Sequence, residues 1–413
     1  MTTPARPDLL PLDEAVARVL AEVTRRATER VALLDAGGRV LAADLTATSD
    51  LPADAASLMD GYAVRASTVQ PGAPLRVAFT VAAGRAPPRG IEAGECARIF
   101  TGGLIPAGAD AVVRQEEVDR KADDVTFRSA PAAGDHVRAV ASDARRGDRL
   151  VESGAILDAG ALALAATVGV AELFVVQRPC VAILATGDEL RSPGERLDPG
   201  TIYESNTFGL ATQTISAGGA PVVLGRVKDD ADSIATRLAS TTADICVTSG
   251  GASVGDYDFA AAVLDRLGGQ RVFWQVAIRP GRPILFGVLP RNSRPPILFF
   301  ALPGNPGASA LTFDLLVRPA IRAMMGAREA RRPRVQARLE KAMRKPAGLA
   351  ALVRGTLVAR DAVLWFRAAP LQGSMSIASL SGLAAVAIVA ADATALEAGA
   401  MVDVEPWLAV GPA

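Results

Sequence analysis

The residues of this sequence most able to do chemistry sit in three loops, each following an apolar run. TGDEL at 186–190 follows VAILA and brings together Thr186, Gly187, Asp188 and Glu189. Adjacent carboxylates can hold Mg²⁺ or activate water; the same pair also reads as a helix cap followed by a solvated first-turn acid. TSGGASVGDYDF at 248–259 follows ADICV. Its Gly250, Gly251 and Gly255 let backbone N–H groups turn toward an anion, Ser249 and Ser253 offer hydroxyls, and Asp256 or Asp258 can bind a cation. It lacks GxxxxGK[ST] and is therefore no P-loop, and a Gly-rich turn without a ligand is the plainer account. LPGNP at 302–306 supplies Pro303, which fixes the backbone, and Asn305, which can cap a helix or meet a ligand. Just upstream, RPGRP at 279–283 presents Arg279 and Arg282 around a turn, a spacing suited to an oxyanion or phosphate, or else two solvated arginines.

A second group lies earlier. LMDGYAVR at 58–65 and RIFTGGLIPAGADAVVRQE at 98–116 place Asp60, Thr101, Gly102 and Gly103 between apolar segments, where they serve a ligand or a hairpin. The chain has one histidine, His136, which can supply an imidazole only once and so excludes paired-His metal sites. Cys96, Cys180 and Cys246 form no CxxC pair, so no thiolate zinc site is expected and the redox setting is a reducing cytosol. With four lysines, anion binding must rest on arginine and backbone N–H groups.

These loops need elements to position them. At 413 residues the chain is too long for one ordinary domain. Its 44 basic and 44 acidic residues give no reason to expect general binding to nucleic acid or to an anionic membrane. Apolar stretches are broken before the roughly 18 to 20 residues a spanning helix needs, and the start shows no signal peptide, so a cytoplasmic protein is expected. Leu12, Val16, Val19, Leu20 and Val23 predict an amphipathic helix. Short apolar segments from about 30 to 150 predict β structure, and 154–177 a helix running into a strand. From 179 to 325, strands, loops and helices alternate as in a parallel sheet covered on both faces, whose ligands bind at the carboxyl ends of the strands. EARRPRV at 329–335 reads as a linker before a small β-domain.

MDGYAVR, IFTGGLIPAGADAVV, AILATGDEL, IYESN, TSGGASVGDYDF, RPGRPILFG and LPGNP occur in this order between residues 10 and 325. Together they resemble the molybdopterin molybdotransferase family, MoeA and the gephyrin E domain, and PLQGSMSIASLSGLAAVAIV resembles the family's C-terminal β segment. The resemblance implies an elongated multidomain α/β protein. Its parts would be a discontinuous helical linking domain (1–50 and 144–178), a β-rich domain with MDGYA (51–143), a molybdopterin-binding α/β domain with a parallel sheet (179–328) and a barrel-like β-domain (329–413).

It further implies a homodimer whose site lies between the sheet domain of one subunit and the MDGYA domain of the other. There the family takes adenylylated molybdopterin and molybdate, releases AMP with Mg²⁺, and inserts molybdenum into the dithiolene. Carried over by residue, Asp60, Asp143, Glu189 and Asp256 are the catalytic acids, and Glu189, Asp256 and Asp258 the metal ligands. Thr101, Gly102, Thr186, Gly187, Asp188, Ser249, Gly250, Gly251, Ser253, Arg279, Arg282, Pro303, Asn305 and Ser374 contact substrate. Other proteins of molybdenum cofactor biosynthesis are expected partners. Two departures stand out: RPGRP replaces the family's KPGKP, keeping charge but changing donor geometry, and GDHVRAVASD at 134–143 replaces GxNIRxxGED, with His136 as a surface turn residue. Competing readings are an adenylyltransferase and a non-catalytic pterin-binding or scaffold protein.

Overall fold

The computed structural model describes residues 9–250 and 257–407. Gly251, Ser253 and Asp256 lie outside the described residues, as does the side chain of Asp258, whose backbone belongs to the helix Tyr257–Arg266.

The centre is a six-stranded sheet in the order Ala220–Val227, Cys180–Thr186, Ile245–Ser249, Ile297–Leu302, Leu285–Leu289, Gln270–Trp274. The first four strands pair in parallel. Leu285–Leu289 runs against both its neighbours. The reason is chain length: only residues 290–296 separate it from Ile297–Leu302, and so short a connection joins antiparallel partners. The middle strands are apolar on both faces, as strands covered on both sides must be, and every residue of Ile297–Leu302 is buried. The helix Leu12–Ala21 lays Leu12, Ala15, Val16 and Val19 onto one side, in a core shared with Ile183, Val247 and Phe300. The helices Ala231–Ala239 and Tyr257–Arg266 contribute to a second core with Ala182, Leu184 and Phe299. Asp230 caps the first of these by accepting from Ser233 N–H at 2.8 Å.

Before the sheet the chain makes an excursion. Thr28–Ala32 pairs with Glu172–Val176, and Leu45–Thr46 with Arg149–Val151. Between them lies a separate six-stranded sheet with Gly61–Val64 between Ala111–Arg114 and Glu95–Ile99. Its edges of the core, Tyr62, Val113 and Phe127, pack away from the central sheet's cores.

After the sheet, Val335–Leu339, Ala350–Arg360, Val363–Ala368, Ala385–Val389 and Met401–Pro406 close into a barrel, the ring completed by Ala350–Arg360 against Ala385–Val389. A sixth strand comes from outside: Ile278–Arg279, the start of RPGRP, pairs in parallel with Ala350 and Ala351. The expected linker is pinned by charge. Arg332 Nε and Nη2 meet Asp314 at 2.8 and 3.0 Å, and Arg334 Nε meets Glu405 at 3.1 Å.

Phe300 is fully buried and packs at a tilt against Phe286, ring centroids 4.7 Å apart. Phe300→Ala should lower unfolding free energy by roughly 3–5 kcal/mol in urea titration, the usual cost of emptying such a site; a loss under 1 kcal/mol would mean that the sheet centre can collapse around the void.

Candidate functional site

Three strand ends are level in register, Ala185 with Ser249 and Ser249 with Leu302, so their loops emerge side by side. The loops come closer than side chains permit. Gly250 has φ +112, and a Cβ there would stand 2.6 Å from the Thr186 hydroxyl and nearer still to its carbonyl oxygen. Gly304 lies against the Gly250 backbone in turn. Only glycine supplies both this dihedral and this approach. Asn206, opening the helix Asn206–Ala217, ties two of the loops: its Nδ2 donates to Ser249 Oγ and to Gly304 O, both at 2.7 Å. Buried Glu204 holds the start of that helix by accepting from Thr207 N–H at 2.7 Å.

The loops enclose a cleft of about 380 Å³ whose walls include Thr186, Glu189, Asn206, Asp229, Ser249 and Gly250. A second cavity, about 460 Å³, is walled by Arg279, Arg282, Gln372, Gly373 and Ser374. Both share Pro283, Pro303 and Asn305, so they form adjoining halves of one cleft. The barrel reaches the cleft through Ser374, whose Oγ lies 3.1 Å from Asn305 Nδ2 and whose carbonyl accepts from Gly307 N–H at 2.8 Å. Beneath it sits Arg354, fully buried. Its Nη2 donates to Gly373 O at 2.9 Å, while Nε and Nη1 have no hydrogen-bond partner among the described residues. Burial pushes this guanidinium's pKa down.

Of the residues singled out in the sequence, Thr186, Glu189, Ser249, Gly250, Pro303, Asn305, Arg279, Arg282 and Ser374 thus line one cleft. Gly187, at φ +154, leaves room for the Glu189 carboxylate, which stands 2.7 Å from where a Cβ would be. Asp188 is exposed and outside the cleft walls. It caps no helix either, because the loop runs into the strand Leu190–Arg191 and the next helix begins at Asn206.

Asp60, Thr101, Gly102 and Asp143 line neither cavity; they belong to the excursion at 51–143. Asp60 Oδ1 accepts from Thr101 N–H at 2.7 Å and Thr101 Oγ1 at 2.8 Å. The backbone donor first, then the hydroxyl, with the charge of Arg98 adding, holds the Asp60 carboxyl below its ordinary pKa. Asp143 pairs with Arg138 at 2.6 Å. His136 sits in a turn at φ +55, half-buried.

Sequence reasoning missed four residues. Asn206 ends IYESN, a motif noticed but not assigned. Asp229 follows Ala220–Val227, a fourth parallel strand, so the same strand-end rule would have found it. Arg354 and Met375 reach the site from the barrel; nothing near Arg354 signals it, whereas Met375 follows Ser374 in the PLQGSMSIASL segment that carries the resemblance.

Comparison with known proteins agrees with this architecture from end to end. Residues 10–169 match the MoeA N-terminal region (domain I and II), 182–323 a probable molybdopterin binding domain, and 336–407 the MoeA C-terminal region (domain IV). The chain belongs to the MoeA family. It is 34% identical over 415 residues to the molybdopterin molybdenumtransferase of Bacillus subtilis, covering 96% of this chain and 93% of that one. It is 36% identical over 345 residues to molybdopterin molybdenumtransferase 2 of Mycobacterium tuberculosis, covering 80% and 84%. Among solved structures, the molybdopterin biosynthesis moeA protein of Pyrococcus horikoshii superposes with a TM-score of 0.82 at 27% identity, over 97% of this chain and all of that one. The curled sheets and closed C-terminal barrel are therefore the MoeA fold.

Two outcomes test the geometry. Gly250→Ala should cost about 1–3 kcal/mol in urea titration, since an alanine at this dihedral is strained and pushes Thr186 away; an unchanged midpoint would show that the loops need not touch. Because the folded-state pKa of Asp60 is lowered, its bonds to Thr101 are fully present above the ordinary carboxyl value and fade as pH falls through the lowered one. Thr101→Val, which removes the hydroxyl donor, should move the Asp60 titration upward in carboxyl ¹³C NMR, and no movement would remove the hydroxyl from the account.

Proposed function

We propose that this chain is a molybdopterin molybdotransferase, which takes adenylylated molybdopterin and molybdate, releases AMP, and inserts molybdenum into the dithiolene in molybdenum cofactor biosynthesis. The observation that carries the reading is end-to-end kinship with molybdenumtransferases, 34% over 96% of the chain. The cleft's chemistry supports it. Cleaving a phosphoanhydride needs neutralised phosphate charge and a placed nucleophile. Arg279 and Arg282 neutralise charge from RPGRP, and Ser249 and Thr186 hydroxyls bind phosphate oxygens at the loop ends. Molybdate is itself an oxyanion, suited to the arginine half of the cleft beside Ser374 and Arg354.

Glu189 and Asp229 bring two carboxylates to walls that also carry the Thr186 and Ser249 hydroxyls, an all-oxygen donor set that fits Mg²⁺. Mg²⁺ usually takes one or two carboxylates and fills the rest from water and phosphate, so the set suffices although no group of three His, Cys, Asp or Glu gathers among the described residues. Glu189 and Asp229 would hold it, with Asp256 and Asp258 as further candidates, and when bound it would stabilise charge on the phosphates.

Asp60, Thr101, Gly102 and Asp143 are absent from both cavities of a single chain. A homodimer in which a second copy presents its MDGYAVR loop to the cleft is the arrangement that gives these acids a catalytic part. No described helix is long and apolar enough to cross a membrane, and the reading is of a cytoplasmic enzyme.

The test is AMP release and transfer of active cofactor to an apo-molybdoenzyme from adenylylated molybdopterin, molybdate and Mg²⁺. Glu189→Ala should lower turnover at least about a hundredfold, the scale of a lost acid, base or charge-stabilising group. Tight pterin binding by the parent protein without AMP release would leave a binding or scaffold protein instead.

A further inference from the structure

The barrel sends one large apolar side chain over the polar half of the cleft. Met375 is 74% exposed and lines the cavity that holds Thr186, Glu189 and Ser249. Its backbone is not free to withdraw it. Ser374 is tied to Asn305 and Gly307, and Gly373 O accepts from Arg354 Nη2 and from Ser376 N–H at 3.1 Å, closing a turn with Met375 at its tip. Ser379 Oγ fastens the far side by donating to Ser376 O at 2.7 Å.

Two further residues with apolar side chains line the same cavity, Ile202 at 55% and Tyr203 at 45% exposure. They pair with Leu190 and Arg191 just beyond the first loop, and the Tyr203 hydroxyl is fixed on Glu195 O at 2.9 Å. Strand order places Ser249 and Gly250 between the strand ends of Cys180–Thr186 and Ile297–Leu302. Ile202 and Tyr203 accompany the first loop and Met375 the third, so apolar groups flank a polar floor of Thr186, Ser249 and Asn206.

An inorganic anion gains nothing from such flanks, and a sugar gains less than a flat ring does. A flat ring covers them while its edge atoms reach the floor, and thioethers make favourable contacts with aromatic rings. We infer that Met375 is a specificity-determining residue whose side chain packs on a bicyclic nitrogen heteroaromatic ring of the substrate, across the cleft from Tyr203. This rests on the proposed function, in which the substrate carries two such rings, pterin and adenine.

Calorimetric titration of the full chain with AMP, with 6-hydroxymethylpterin and with ring-free ribose 5-phosphate tests it. Met375→Ala should weaken at least one ring-bearing probe by about 5- to 30-fold, the effect of losing one packed apolar side chain. Met375→Leu, which keeps the volume, should stay within about threefold of the parent, and ribose 5-phosphate should bind all three proteins alike. Loss confined to AMP seats the adenine against Met375, and loss confined to the pterin seats that ring; either upholds the assignment. Unchanged binding of both rings by Met375→Ala overturns it and leaves the functional reading standing. An equal loss for ribose 5-phosphate also overturns it, by showing distortion of the cleft rather than loss of a ring contact. Failure of the parent to bind either ring brings down both readings.

Discussion

The close approach of three backbones at the carboxyl edge of the central sheet is the constraint from which the site follows. Gly250 meets Thr186 where no side chain fits, Gly304 lies against Gly250, and the amide of Asn206 spans Ser249 and Gly304. Parallel strands in register bring loop ends to one level, but they leave neighbouring chains about 4.8 Å apart. Glycine closes the remaining distance, and the polar groups at that edge then face one volume instead of three separate turns. The preference for small and conformationally permissive residues here is thus a matter of geometry before it is one of chemistry.

The second half of the cleft is built by a different means. RPGRP leaves the sheet domain by becoming a barrel strand, through the pairing of Ile278 and Arg279 with Ala350 and Ala351. The barrel returns the contact through Ser374, held by Asn305 and Gly307. Arg354 fixes the turn between the two from below, at the expense of a fully buried guanidinium with two nitrogens lacking partners in the described residues. Leaving such groups dry is costly for stability, and proteins tolerate it where a polar ligand or a positioned loop compensates.

Most of this was legible in the residues where local rules govern. Periodicity locates the helix Leu12–Ala21, and apolar runs followed by glycine-bearing turns locate the three loop ends. The strand-end rule then puts Thr186, Glu189, Ser249 and Asn305 in one cleft, as observed. What was not legible depends on long-range pairing. Nothing near Arg354 distinguishes it from other residues of a β-domain, and Met375 is marked only by its neighbour Ser374 in the segment that resembles the family, because both roles come from where the barrel docks. Asp188 shows the converse failure: its local pattern fits a cap, yet the chain inserts the pairing of Leu190–Arg191 with Ile202–Tyr203 before any helix begins. Asp60 and Asp143, which the resemblance places in the cleft as catalytic acids, do not line it in a single chain.

The borrowed barrel strand bears on modularity. A boundary drawn through residues 329–335 looks like a natural place to exchange C-terminal domains between relatives. Yet a transplanted barrel would meet a foreign strand at its edge, and a sheet domain left alone would present Ile278–Arg279 with unpaired backbone groups, an open invitation to associate with other chains. The two halves are therefore constrained to diverge together at residues 278–279 and 350–351, even though 70 positions of chain lie between them. Recombination that respects the linker and ignores this seam would inherit both domains and lose the join.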